Sequence, residues 1–459
     1  MAIRSGTTRD MTRGPILKQI LLFSLPLMLG NVFQMLYNTV DSIVVGNFVG
    51  KEALAAVGST TMIVNMLVFF FNGFSVGAGV VIGQHFGARD MERLHDAIEA
   101  TMAMTLILCA AFTAIGLMMV RPMLAVMSTP ADVFEDAVTY LTIYFTGFAG
   151  LLIYNMGSGI LRAVGDTARP LYFLILTSIL NIILDLAFVL GLKMGIAGVA
   201  WATIISQAVS AALTLGLLTK TDDIYKLVWK DLRVNIPVLR RIFSVGLPAG
   251  IQSVITAFSN VFVQGYINFF GSACMAGWSC YNKIDQFIML AIQSTAMAAT
   301  TFVSQNIGAN QTERANRGTW AAIFLSMSIT GVVGVIVMIF AGQSVRLFIQ
   351  DPAVVEFGVL FLRANTTFLL FNCVNHTLAG ALRGRGDSKG PMVIMLTCFV
   401  AVRQIYLFIV TRFVANTPFT VGFGYPVGWT SCCICEVTYF IRRWWRKPGG
   451  ELKQISTQR

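Results

Sequence analysis

Four polar residues stand in stretches of sequence that are otherwise apolar, and together they could hold a proton or a small cation. Asp41 ends the polar stretch Tyr37–Asp41, Asn181 and Asp185 are four residues apart, and Thr203 follows in the next apolar stretch. Residues four apart share one face of a helix. An ionisable group in hydrocarbon is costly and is a functional candidate by default. We therefore predict a site for a cation or a proton here; a buried hydrogen-bond network is the alternative.

These four residues would reach a similar depth if their stretches are helices that cross a membrane. At a rise of about 1.5 Å per residue, Asp41 lies about 15 Å from the outer end of its helix, counted back from Lys51. By the same count Asp185 and Thr203 lie about 12 Å deep and Asn181 about 18 Å. The sequence therefore predicts one water-filled pocket that receives polar groups from three helices.

The composition requires such a membrane setting. Of 459 residues, 56% are hydrophobic and 12% are charged, whereas soluble proteins carry about 25% charged residues. This excludes a cytosolic enzyme, a secreted disulfide scaffold and a disordered regulator. The net charge of +11 does not indicate nucleic acid, because that would need a basic face on a soluble fold. We therefore expect the chain to be embedded in a lipid bilayer. We also expect it to be a monomer.

Apolar runs predict the transmembrane helices. A run of about 18 to 25 residues is needed to cross the hydrocarbon layer, and breaks at charges, prolines and glycines separate twelve candidates. They are 16–46, 53–84, 97–120, 136–160, 170–192, 196–218, 242–269, 274–305, 319–341, 355–381, 391–412 and 424–441. Most of the 33 basic residues fall in the N-terminus, five alternate connections and the tail. The positive-inside rule then places both termini in the cytoplasm. We expect the protein to lie in the inner (cytoplasmic) cell membrane.

The sequence repeats itself. Residues 159–170 and 380–391 both fit G-x-L-R-x-x-G-D-[S/T]-x-x-P, and Gln84 with Gly87 and Ala88 matches a second Gln-x-x-Gly-Ala stretch at 305–309. Six helices per half make a parallel repeat, an arrangement typical of transporters. We expect an all-α polytopic membrane protein with two parallel six-helix bundles related by a pseudo-two-fold axis along the membrane normal. The predicted domains are a cytoplasmic segment 1–15, an N-lobe 16–218, a cytoplasmic linker 219–241, a C-lobe 242–441 and a basic cytoplasmic tail 442–459.

Two prolines and several further polar residues complete the candidates. Pro26 and Pro248 stand early in the first and seventh helices, where a proline removes a backbone hydrogen bond; a static kink and a working hinge are both open. The Gly-Asp turns before Pro170 and Pro391 are expected to cap the helices that follow; a gating contact between the halves is the alternative. Candidate cavity residues are Tyr37, Asn38, Gln252, Asn260, Gln264, Asn372, Asn375 and His376. The roles of five other charged residues stay open: Lys283, Asp285, Arg363, Arg403 and Glu436.

The sequence offers little sign of a resident metal or cofactor. Cys432, Cys433 and Cys435 fall inside an apolar run without a second Cys or His pair, so they do not indicate a metal site. No Walker loop occurs, and the two G-x-S-x-G matches, at 73–77 and 386–390, fall in an apolar run and in a repeated Gly-Asp turn rather than at a strand-to-helix turn. We expect no cofactor.

Over residues 14–445 the chain resembles the multidrug and toxic compound extrusion (MATE) transporters. The resemblance rests on the paired L-R-x-x-G-D-[S/T] loops, the paired Gln-x-x-Gly-Ala stretches and Pro26. Asp41, Asn181, Asp185 and Thr203 match positions of the DinF-like branch. The NorM-like branch would place a glutamate in the seventh helix and an aspartate in the tenth. Here those helices carry Gln252, Asn260 and Gln264, and Asn372 and Asn375.

This resemblance implies a non-enzymatic antiporter that exchanges H⁺ or Na⁺ for organic cations, with its cavity open alternately to each side. One alternative is a lipid-linked oligosaccharide flippase of the same superfamily, which would need a larger and more basic cavity. A second alternative, from another class, is a polytopic membrane enzyme.

Overall fold

The structure, a computed structural model, describes residues 8–445 apart from the side chains of residues 51, 52 and 445. Regular structure in that part of the chain is entirely helical. The start of the predicted segment 1–15 and most of the predicted tail 442–459 lie outside the described residues.

The helices of the first half follow the predicted spans, with most ends a few residues further out. They are α1 (Ile16–Val44), α2 (Lys51–Ala88), α3 (Met91–Val126), α4 (Ala131–Thr146), α5 (Phe148–Ala163), α6 (Ala168–Leu186) and α7 (Gly195–Lys220). π-helical turns extend α1 over Val45–Val49 and α6 over Ala187–Gly191.

The second half repeats this order with more interruptions. Its helices are α8 (Ile236–Asn268), α9 (Ser272–Gly308), α10 (Thr312–Ile339), α11 (Ala341–Arg346), α12 (Pro352–Thr366), α13 (Leu369–Gly384), α14 (Lys389–Leu396), α15 (Arg403–Ile409), α16 (Pro418–Gly422) and α17 (Gly424–Phe440). π-helical turns join α14 to α15 over Thr397–Val402, and others follow α15 and α17.

Nine helices in the described residues are long and apolar enough to cross a membrane, and two bent pairs raise the number to eleven. The pair α4 and α5 bends by 49°, and the pair α12 and α13 bends by 53°. The two bends fall at equivalent places of the repeat, which supports the internal duplication. The predicted last span corresponds to α17, which has 17 residues and continues through the turn Ile441–Trp445.

The predicted capping turns are confirmed. In the first, Asp166 Oδ1 accepts hydrogen bonds from the backbone N–H groups of Ala168 and Arg169 at 3.2 and 3.1 Å. In the second, Asp387 Oδ1 accepts one from Gly390 at 3.1 Å. The glycine before each aspartate has φ near +90°, a left-handed conformation that glycine adopts without steric cost. These turns therefore terminate one helix and start the next within a few residues.

Packing divides the chain into two compact units. The N-terminal unit comprises residues 8–10 and 26–250, and the C-terminal unit comprises residues 11–25 and 251–445, within the described part of the chain. Each of α1 and α8 therefore contributes to both units. The predicted lobes 16–218 and 242–441 were defined as continuous ranges of sequence, whereas these units are defined by packing. The predicted boundaries stay predictions.

Each unit has an aromatic core of its own. In the N-terminal unit, Phe71 packs edge-on against Phe112 and Phe148, with ring centroids 4.7 and 5.3 Å apart. In the C-terminal unit, Trp278 packs against Tyr281 and Phe361 at 4.9 and 4.8 Å. Aromatic side chains bury large apolar areas, so these clusters hold the helices of each unit at fixed positions around the polar residues described next.

Candidate functional site

The predicted acidic site lies wholly within the N-terminal unit. Asp41 is in the last turns of α1 and Asp185 is in the last turns of α6, and their carboxyl groups are close enough to interact with each other. Asp185 is fully buried, and neither of its oxygens has a hydrogen-bond partner among the described residues. The structure therefore brings together the two acids that the sequence placed at similar depth.

Asn181 lies one turn before Asp185 on α6, as the spacing predicted. Its side chain is 2% exposed, and neither its amide nitrogen nor its amide oxygen has a hydrogen-bond partner in the described structure. Further polar atoms in this unit share that property. Those in α1, α6 and α7 include one oxygen of Asp41, the hydroxyls of Ser178 and Ser206, and the amide oxygen of Gln207.

Most buried polar groups in proteins are hydrogen-bonded. A concentration of unpartnered groups in α1, α6 and α7 is what a polar pocket for water, an ion or a polar ligand requires. Next to these groups, Ser210 of α7 donates to the hydroxyl of Thr177 of α6 at 2.7 Å. The seam between α6 and α7 is therefore polar over several turns.

Thr203 has a different environment from the acids. It is 7% exposed, and its hydroxyl donates to the backbone oxygen of Val199 at 3.0 Å. The donor of Thr203 is thus used within its own helix, and only its oxygen lone pairs remain for an ion.

Two tyrosines, Tyr37 and Tyr140, lie near the two acids, and sequence reasoning found only the first. Tyr37 of α1 interacts electrostatically with Asp41 and Asp185, and so does Tyr140 of α4. Tyr140 stacks on Tyr144 with ring centroids 6.4 Å apart. The missed signal was a pair of tyrosines at i and i+4, the spacing that puts both on one helical face.

Gln207 of α7 was also missed by sequence reasoning. It is hydrogen-bonded to Tyr144 of α4, although its amide oxygen lacks a partner.

Of the two remaining first-helix candidates, Tyr37 is partly buried and Asn38 is exposed. Tyr37 therefore belongs to the group of residues near the two acids, and no contact of the Asn38 side chain with that group is seen in the described part of the chain.

The candidate cavity residues of the second half do not form one comparable cluster. Gln252 of α8 is 5% exposed; its oxygen accepts from Arg383 at 2.9 Å and its nitrogen contacts the sulfur of Met395 at 2.8 Å. Asn260 is exposed, and Gln264 donates to Asn268 of its own helix at 2.8 Å. These three residues of α8 thus have three different environments.

The polar residues of α13 are more deeply placed. Asn375 is fully buried and donates to the backbone oxygen of Trp429 at 2.9 Å. Asn372 is 2% exposed and contacts the sulfur of Met289 at 3.3 Å. His376 is partly buried near the ring of Phe399. Both asparagine oxygens lack partners in the described structure, so this helix has spare acceptors.

The charged residues whose roles were open have few acidic partners. Arg403 is 3% exposed, donates to the hydroxyl of Ser259 at 2.7 Å and lies 4.8 Å above the ring of Tyr425. Lys283 lies 5.4 Å from the centre of the Phe348 ring. Arg403 therefore contacts a hydroxyl and an aromatic ring, and Lys283 contacts an aromatic ring.

The eight cysteines form no disulfide bond. All eight are free, and no group of three or more His, Cys, Asp and Glu in the described part of the chain could hold a metal ion.

The two helix prolines do not interrupt their helices. α1 and α8 each continue as a helix through Pro26 and Pro248. The boundary between the two packing units falls at Pro26 in α1 and two residues after Pro248 in α8.

A helical chain of this hydrophobicity, with buried unpartnered polar side chains inside an apolar unit, is typical of a multi-pass membrane transporter. The sequence model of the MatE family matches the chain twice, over residues 26–187 and 248–409, and the chain belongs to that family. Both matched stretches begin at the helix prolines, which agrees with the internal repeat. The family consists of transporters, so the alternative of a membrane enzyme is not supported.

Relatives and solved structures agree with this assignment. The chain is 29% identical over 441 residues to the probable multidrug resistance protein YpnP of Bacillus subtilis, covering 95% of this chain and 97% of YpnP. It is 24% identical to the multidrug export protein MepA of Staphylococcus haemolyticus, covering 88% of each chain.

Among solved structures, a MOP-superfamily transporter from Pyrococcus furiosus is similar with a TM-score of 0.89 and 25% identity, over 96% of this chain and 98% of the other. A MATE transporter in the bent conformation has a TM-score of 0.90 at 24% identity, over 98% and 99%. The chain therefore has the twelve-helix MATE fold. The DinF-like branch stays a prediction.

Proposed function

We propose that this protein is a cation-coupled antiporter that exports organic cations, with Asp41 and Asp185 as the groups that bind the coupling H⁺ or Na⁺. The observation that carries the proposal is the pair of facing carboxyl groups in a pocket rich in unpartnered polar atoms. Two carboxylates at close range in a poorly solvated site cannot both be charged unless a proton or a cation accompanies them.

The rest of the pocket suits the proposed exchange. Asn181 has an unpartnered amide oxygen and Thr203 a hydroxyl oxygen; oxygen atoms of this kind are the ligands that hard cations prefer. The faces of Tyr37, Tyr140 and Tyr144 offer cation–π contacts to an organic cation. An organic cation and the coupling ion would therefore compete for the same negative charge, which is what antiport requires.

The chemistry of transport then needs only binding and release. The coupling ion enters from the outside, neutralises the acids and displaces the drug; the cavity next opens inward, and the ion leaves. Each charge moved inward yields about 2.3 kcal/mol per 100 mV, and each pH unit yields about 1.4 kcal/mol. An organic cation carries a charge outward, so in a one-for-one exchange the contributions of the membrane potential cancel and the ion gradient drives export, about tenfold for each pH unit.

We propose that α1 and α8 bend when the two units move. A proline leaves the carbonyl four residues earlier without its helical partner, so each helix is weakest near the place where it passes from one unit to the other. Pro26 and Pro248 are therefore proposed hinges. We further propose a monomer in the cytoplasmic membrane with both termini in the cytoplasm.

Drug export is supported by the relatives, which include proteins named for multidrug resistance and multidrug export. The test is efflux of a fluorescent organic cation from proteoliposomes under a pH gradient or a sodium gradient imposed separately. We expect efflux with one gradient and not without it. Efflux that is indifferent to both gradients contradicts the proposal.

A further inference from the structure

The two Gln-x-x-Gly-Ala stretches have no part in the proposed coupling site, yet the structure uses both of them in the same way. Gln84 and Gln305 are equivalent in the repeat and are 6% and 0% exposed. The side-chain oxygen of Gln84 accepts a hydrogen bond from Arg241, near the start of α8. The side-chain oxygen of Gln305 accepts one from the backbone N–H of Met11, just before α1, at 2.9 Å. Each glutamine thus holds the start of a helix that begins in the other half of the sequence.

The contacts before α1 form a larger set, which we call the N-terminal latch: Gln305, Asn306 and Arg314 bound to the segment Met11–Gly14. Asn306 Nδ2 donates to the backbone oxygen of Met11 at 3.2 Å. Arg314 Nη2 donates to the same oxygen at 3.2 Å and to that of Gly14 at 2.7 Å. Met11 is fully buried. All four bonds end on backbone atoms, so the latch fixes the path of the chain.

The start of α8 has a further set of contacts besides the bond to Gln84. A Cβ atom on Gly73 of α2 would be 2.3 Å from the backbone nitrogen of Gly250, and one on Gly77 would be 2.6 Å from the backbone oxygen of Ile242. The two helices are therefore in backbone contact along a small-xxx-small pattern, which allows the closest helix packing in a membrane. The start of α8 belongs firmly to the N-terminal unit.

The start of α1 carries no such glycine pattern. The stretch Ile16–Leu25 contains no glycine, and it belongs to the C-terminal unit, whereas α1 from Pro26 onward belongs to the N-terminal unit. When one helix is shared by two units, any movement between them either bends the helix at the boundary or pulls its start away. Which of these happens depends on how firmly the start is held.

We propose that Gln305, Asn306 and Arg314 are positioning residues that anchor the start of α1 to the C-terminal unit throughout transport, so that movement within α1 is confined to Pro26. This inference rests on the proposed alternating-access cycle, in which the units move relative to each other. It assigns a function to the second Gln-x-x-Gly-Ala stretch. It also explains why a hinge proline is useful in α1, since a bend transmits movement only if one end is fixed.

The test measures a distance inside the C-terminal unit and does not depend on transport. Spin labels at Leu17 of α1 and Phe324 of α10, both exposed, report whether α1 stays in place; Cys433 and Cys435, which are not buried, are first replaced by serine. The full-length protein is measured in liposomes at high and low pH, with and without Na⁺. We expect one narrow distance distribution that is the same under all conditions. A distribution that shifts with conditions in the unmutated latch overturns the proposal.

The variants R314A and Q305A should broaden this distribution or add a longer distance, and R314K, which keeps a donor, should restore most of it. The matched control is R93A, because Arg93 is the repeat equivalent of Arg314 and pairs instead with Asp90 at the surface. A narrow, unchanged distribution in both latch variants overturns the proposal.

A transport assay separates anchoring from general stability. Since the latch does not line the acidic pocket, its loss should lower the maximal rate of efflux and leave KM for the organic cation unchanged. Equal changes in rate and KM contradict a positioning role. If the unmutated protein shows no ion-driven efflux, the proposed function fails, while the distance measurement still decides the latch.

Discussion

The carboxyl groups of Asp41 in α1 and Asp185 in α6 face each other within one packing unit, although they are 144 residues apart in the sequence. The counterpart of Asp185 in the second half is Tyr406, which donates to the backbone oxygen of Thr420. The repeated scaffold therefore carries its acid pair in one half only. This difference is the basis of the predictions that follow.

Replacing Asp185 by asparagine should uncouple transport from the ion gradient. The amide keeps the shape of the side chain but can neither bind a proton at this site nor balance a cation. We expect ion-driven efflux to be lost, while thermal stability stays equal or rises because a potential buried charge is removed. The measurement is efflux under imposed pH and sodium gradients, with the unfolding midpoint of the purified protein. Unchanged ion dependence would assign Asp185 a structural role.

Replacing Tyr140 by leucine should weaken binding of organic cations. A cation–π contact that is partly shielded from water contributes about 1 to 2 kcal/mol, which corresponds to an increase of about five- to thirtyfold in KM. Tyr140→Phe keeps the ring and is the matched control, expected to bind nearly as the native protein does. Equal KM values for all three proteins would show that the ring does not contact the substrate.

Replacing Pro26 by alanine should make α1 stiffer and the transporter slower. Alanine restores the backbone hydrogen bond to the oxygen of Leu22, and the helix interior gains up to about 3 kcal/mol. We expect a higher unfolding midpoint together with a lower rate of efflux. A higher midpoint with an unchanged rate would mean that the kink is static.

Replacing Gly77 by alanine should separate α2 from α8. Its Cβ would meet the backbone atoms of Ile242 and Gly246 at 2.6 and 2.7 Å, and backbone cannot move aside as a side chain can. The expected loss of stability is about 1 to 3 kcal/mol. Gly216 of α7 is the control, because nothing lies within 4 Å of its Cβ position; there alanine should stabilise the helix by about 0.5 to 1 kcal/mol. The unfolding midpoints of the two variants should move in opposite directions.

Much of the architecture could be predicted because the bilayer imposes simple rules. Long apolar runs identify helices, and the repeat with its Gly-Asp turns predicts where they are capped. The bends near Gly147 and Phe368 were not predicted, since neither position carries a proline and the bends depend on packing. Gly147, for example, lies against Ile204, where a Cβ would come within 2.3 Å.

The acidic pair was predictable because a carboxylate in an apolar run is costly and stands out. Tyr140, Tyr144 and Gln207 were not, because polar groups are common in such runs and only the fold shows that Tyr140 lies near the acids and contacts Tyr144. The division of α1 and α8 between two units was also beyond the sequence. It depends on contacts such as Met11 with Gln305, which are 294 residues apart.

The most direct test of the central claim is gradient-driven efflux by Asp41→Asn in proteoliposomes. The matched control is Asp132→Asn, an exposed acid in the first turn of α4. We expect the first variant to insert and fold normally but to lose efflux driven by either gradient, while the control transports at the native rate. Native, gradient-dependent efflux by Asp41→Asn would contradict the assignment of the coupling site to the N-terminal unit.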